Sequence, residues 1–229
     1  MFLRLTRQKC PLCFRLSSGL RGLLLRCFGR GLDCRGINQR TDTSSERVTE
    51  IDAAAPDCAC EKYRMSKHSP GVVADSEQLA IFVFLPMQQV DKKTGRAKPN
   101  VFSHVKTRGR SIQRDDLASN QEMVTFVKGF LENGEDRVWK GVLLGKCHDV
   151  RNIETDTPDK RAVCVYDTAN LGNISHGELC QTQHITEADQ AELRHELFTA
   201  FGKGVIHSPT QYRDGVVWSG LSPALHARG

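Results

Sequence analysis

The sequence predicts an α+β domain, with a mixed or mainly antiparallel sheet of about five strands and two main helices packed on one face. Three observations carry this reading: an unbroken apolar run at 79–85, two segments with helical apolar spacing near 120–132 and 186–201, and strand links too short for crossover helices.

The first element is the most apolar. Residues 79–85 join β-branched and aromatic side chains and end at Pro86, which predicts a central buried strand. A polar stretch, 91–100, separates it from 101–105, where alternation predicts a second strand with one wet face, so the two form a hairpin with a long basic tip. Ser119-x-x-Glu122 is a capping box, and Met123, Val124, Val127, Phe130 and Leu131 follow at helical spacing, which predicts a helix from about 120 to 132. Residues 137–144 and 161–166 read as strands joined through a polar, proline-containing link, and 170–173 as a turn. Thr186 opens a second helix with Leu193, Leu197, Phe198, Ala200 and Phe201 on its apolar stripe, and Gly202-Lys203-Gly204 ends it. A late edge strand is expected around 216–218.

Composition divides the chain at Met65. Six of the nine cysteines precede it, all eight histidines follow it, and residues 1–64 hold 12 Lys+Arg against 7 Asp+Glu while 65–229 hold 20 of each. Residues 1–64 therefore read as a disordered or presequence-like extension, a composition that also suits sequence upstream of a true start at Met65, and 65–229 as a single globular α+β domain. Arginine-rich, acid-poor residues 1–40 also fit a mitochondrial transit peptide, which would place the protein in the matrix; otherwise a soluble cytoplasmic protein is expected. Cys10-Pro11-Leu12-Cys13 has thiolate-pair spacing, but neither Cys58-Ala59-Cys60 nor Cys27 with Cys34 completes a zinc finger. No stretch reaches the ~20 uncharged apolar residues of a membrane-spanning helix, so no membrane partner is expected.

The main functional signal is charge. Lys92, Lys93, Arg96, Lys98, Lys106, Arg108, Arg110 and Arg114 stand against one acid, Asp91, giving +7 over 91–114 inside a domain that is neutral overall. Such a cluster attracts polyanions and releases their condensed counterions, so nucleic acid or an acidic protein partner is expected, with Lys106, Arg108, Arg110 and Arg114 as anchors. The same charges could simply keep a strand edge soluble. Interleaved aromatics for base stacking are missing, which favours contact with the phosphate backbone.

A second class of reading is a Cys/His enzyme or a zinc-dependent module. His176, Cys180 and His184 step by four residues and would share a helical face, with Cys147, His148 and Cys164 upstream and Asp149 or Asp167 to orient a base. Cys164, in an apolar strand, reads more simply as a small core residue. Residues 166–170, small and polar at a strand end, could ligate a substrate or merely form an Asx turn. A third reading is a protein-interaction module using the strand edge near Trp218. The first reading takes no cofactor, no metal and no catalytic residue, and the oligomeric state is open.

Overall fold

The structure, a computed structural model, describes residues 57–85, 89–106, 109–132, 137–156, 159–216 and 218. All belong to Leu32–Gly229, the second of the two units into which the chain divides. Residues 1–56, with the thiolate pair at Cys10 and Cys13 and the presequence reading, lie outside the described residues.

The α+β class holds, with five strands in one sheet. They are β1 (Gln78–Leu85), β2 (Arg110–Arg114), β3 (Val138–Lys146), β4 (Val163–Asp167) and β5 (His176–Gln181), in the order β3-β1-β2-β5-β4, and every neighbouring pair is antiparallel. The helices are α1 (Asn120–Glu132), α2 (Cys147–Arg151), α3 (Gln190–Ala200) and α4 (Pro209–Tyr212), with 3-10 turns at Ala59–Lys62, Pro99–Val105 and Gly202–Gly204.

Side chains of β1 alternate between two cores. Leu79, Ile81 and Val83 pack with Leu193, Leu197 and Phe201 from α3 and its end, whereas Ala80, Phe82 and Phe84 pack with Met123 and Val127 of α1. The two longer helices thus cover opposite faces, not one. The reason is visible in β1 itself, whose six central residues are all buried and need cover on both sides. A smaller cluster around Cys58, Met65, Cys164, Tyr166 and Cys180 fills in over β4 and β5.

Several expected elements change identity. The segment 101–105 is a 3-10 turn opened by Pro99, burying Val101, Phe102 and Val105 while Ser103 and His104 stay exposed, so the hairpin from 79–85 does not form with it. On the edge away from β3, β1 pairs instead with 110–114, and 176–181 forms β5, not the helix that would align His176, Cys180 and His184. Helix α1 begins with the expected capping box: the Glu122 N–H donates to Ser119 Oγ at 3.2 Å and the Ser119 N–H to Glu122 Oε2 at 2.8 Å. At α3 the helix starts four residues later than Thr186, whose N–H and hydroxyl both donate to Asp189 Oδ2. Neither Val216 nor Trp218 is in a strand, and Val217 lies outside the described residues; the Trp218 ring packs on Trp139 at 4.5 Å.

The packing begins before Met65. Cys58 is joined to Cys164 by a disulfide, Cys60 is disulfide-bonded as well, and Met65 is fully buried. Cys164 is therefore a crosslink and not merely a small core residue. Glu61 enters the core as a carboxylate with partners from three directions. Arg161 donates to it through two nitrogens at 2.7 and 3.0 Å, Arg151 Nε donates at 3.1 Å, and the Val165 N–H completes the set. The compositional border at 64/65 is not a structural one, because residues 57–64 bring the counter-charges that two core-facing arginines require.

Candidate functional site

The seven described members of the eight basic residues expected to act together separate into distinct environments. Lys92, Lys93, Arg96 and Lys98 are exposed on a small turned loop closed by a bridge between Val90 and Ala97. Its geometry follows from Asp91. The Asp91 carboxylate accepts from the N–H of Thr94 at 2.8 Å, from the Thr94 hydroxyl at 3.1 Å and from the N–H of Lys93 at 2.9 Å, and the Thr94 N–H foremost holds its pKa below the ordinary carboxylate value. The single acid of the segment is thus consumed in shaping the loop that displays the cations.

The loop is also anchored from below. The Ala97 N–H donates to the Gly204 carbonyl at 2.9 Å, which seats the Gly202–Gly204 turn and its exposed Lys203 against the base of the tip. Gly204 has φ +72, and a Cβ there would come within 2.3 Å of Phe198 and 2.6 Å of the Ala97 carbonyl, so only glycine allows this approach. In the sequence Lys203 marks no more than a helix stop.

The proposed anchors fare differently. Lys106 is exposed but ion-paired with Glu187, and Arg108 lies outside the described residues. Arg114 is 2% exposed, pairs with both Glu77 oxygens at 2.7 Å, donates to the carbonyls of Gly71 and Val72, and lies 3.5 Å from Asp167. It is an internal crosslink that no phosphate can reach. Its neighbour Asp167 is pushed above the ordinary carboxylate pKa, first by burial, with the Ser69 hydroxyl and Arg114 pulling the other way. Residues 166–169 are buried: Asp167 joins this ion cluster, Tyr166 packs with Cys58, Cys164 and Cys180, and Thr168 bonds His176.

Arg110 occupies a third environment. The ladder between β1 and β2 covers only Leu79↔Arg114 and Ala80↔Gln113, so the strands part beyond Ile81 and leave a cavity of about 270 Å3 between them and α1. Phe82, Phe84, Phe126 and Phe130 form its apolar wall, with ring pairs at 5.0 Å (Phe82 with Phe126) and 4.2 Å (Phe84 with Phe130). Arg110 donates through one terminal nitrogen to the Phe82 carbonyl at 3.2 Å, capping the open strand edge, while its Nε is buried without a partner. Desolvation lowers this guanidinium to about 10, still charged at neutral pH.

The Cys/His constellation does not assemble. On β5, His176 and Cys180 are separated by four strand steps, about 13 Å at about 3.3 Å per residue, instead of one helical turn. His176 Nδ1 is engaged with Thr168 Oγ at 2.8 Å, and His184 Nε2 with Asp57 at 2.6 Å. Burial pushes the Cys147 thiol up to about 12, which leaves no thiolate for nucleophilic attack. Among the described residues, the grouping closest to a metal-ligand set is Cys58, Glu61 and Cys164. Its two sulfurs are bonded to each other, so they offer no thiolates.

The chain matches no family model, and no curated protein and no solved structure is significantly similar to it. Among the described residues no helix is long and apolar enough to cross a membrane.

Proposed function

We propose that the domain binds a polyanion, nucleic acid foremost, through the exposed tip formed by Lys92, Lys93, Arg96 and Lys98, and that it does so without catalysing a reaction. The observation that carries this reading is the display of four cations on one turn whose only carboxylate is engaged by the turn's own N–H groups. Lys203 extends the same positive surface from a distant part of the chain. The tip sequence from Gln89 to Lys98 holds no aromatic residue, so contact is with phosphates and independent of base sequence. An acidic protein partner would use the same cations but would not release condensed counterions, and salt dependence separates the two. The Cys58–Cys164 bond is the chemistry of an oxidising compartment, which weighs against the reducing cytosol as the place of action.

The test is fluorescence anisotropy of the full chain with labelled duplex DNA and single-stranded RNA across a salt series. Four phosphate contacts give a slope of log K against log salt of about −3 to −4. Replacing Lys92, Lys93, Arg96 and Lys98 together by alanine should abolish it. No binding at low salt, or binding that survives the fourfold replacement, would discard the proposal.

A further inference from the structure

The cavity between β1, β2 and α1 combines three features that ordinary packing defects lack. Its wall is aromatic. Its floor carries Arg110, half-buried, with no carboxylate within ion-pairing distance among the described residues. The third feature is that Arg110 Nε itself is buried on the cavity lining and lacks an acceptor. A buried charged donor without an acceptor is a costly arrangement. An anion entering the cavity would supply that acceptor.

From this we infer that the cavity is a binding site for a small carboxylate with an aromatic or compact apolar body, the carboxylate held by Arg110 and the body against Phe82, Phe84, Phe126 and Phe130. A planar two-oxygen group fits the available donors, because the side of a guanidinium that carries Nε–H offers a parallel fork to a carboxylate. A phosphate dianion fits worse. It would bring more oxygens than the fork serves, and Glu178, buried on the same lining, opposes a dianion about twice as strongly as a monoanion. The volume of about 270 Å3 sets the scale at a single ring with a short acid arm, below the size of a nucleotide. This inference is independent of the polyanion reading, since the exposed tip and the cavity share no residue.

The experiment is calorimetric titration of the full chain with 3-phenylpropanoate and with 3-phenylpropanamide, which has the same shape and no charge. The acid should bind saturably and the amide at least about tenfold more weakly, and Arg110→Lys, which keeps a cation but loses the fork, should weaken the acid about tenfold without affecting the amide. Arg110→Lys avoids the risk that Arg110→Met simply exposes the strand edge and unfolds the protein. A Phe126→Ala variant should weaken acid and amide alike, which distinguishes a ligand in the aromatic cavity from one on the exposed basic tip. Absence of saturable binding of the acid, equal binding of acid and amide, or an Arg110→Lys variant that binds the acid normally would each overturn the assignment.

Discussion

At the scale of single residues, the molecule is defined by where charge has been taken out of water. Glu61 and Arg114 are the two hubs, and each is held by several partners from other parts of the chain. Removing one member of such a cluster leaves the rest buried and uncompensated. Glu61→Gln should therefore destabilise the protein by about 1–3 kcal/mol, read as a loss of midpoint in urea unfolding, because Arg151, which keeps Asp75, and the partly exposed Arg161 would face a neutral amide. Asp167 should behave in the opposite way. Its folded pKa lies above the ordinary value of 3.8, so the native state holds its proton more tightly than the unfolded chain does, and Asp167 lowers stability as pH rises through that window. Asp167→Asn removes this loss. Its stability relative to the parent should be smallest in acid and increase as pH rises above the ordinary carboxylate value, and a gain that is larger in acid would contradict the assignment.

At the scale of elements, some segments declare themselves and others depend on distant partners. Residues 79–85 and 120–132 were legible because their signals are local: a continuous apolar run needs cover on both faces, and a capping box followed by helical spacing fixes a helix start. The strand 110–114 was hidden because its inward-facing side chains include Arg114 and Gln113, which the sequence presents as polar. What makes them core residues is Glu77, 37 positions away, and Ser175, 62 positions away. The same limit governs the candidate site. Exposed lysines at 92 and 93 need no partner to be recognised, but nothing in the composition separates Arg110 in a cavity from Arg114 in a salt cluster. At 101–105, burial of 101 and 105 suits either a strand or a 3-10 turn, and Phe102 decides for the turn by being buried too. The Gly202–Gly204 turn shows how one element supports another. Gly204→Ala would force a Cβ into the Ala97 carbonyl and the Phe198 ring at positive φ, so it should cost about 1–3 kcal/mol. It should also weaken polyanion binding although it removes no charge, measured by the same anisotropy titration.

At the scale of the whole molecule, the short segment from Asp57 to Met65 decides how the domain closes. Its disulfide spans 106 positions, linking the entry of the chain to β4 near the far edge of the sheet. In the chain-entropy account a loop of that order contributes up to about 4–5 kcal/mol, less any residual order in the unfolded chain. Glu61 lies three residues from this link, so the same segment that fixes the crosslink also delivers the carboxylate to Arg151 and Arg161. The two contributions are coupled, since reduction would let the 3-10 turn at Ala59–Lys62 detach and take Glu61 with it. Reducing the full chain, which opens the Cys60 bond as well as Cys58–Cys164, should therefore cost less in a Glu61→Gln background, where detachment forfeits no carboxylate. A chain beginning at Met65 would lose both contributions at once. Its unfolding midpoint should fall below that of either the reduced chain or the Glu61→Gln variant, whereas equal stability with the full chain would show that the segment is carried passively.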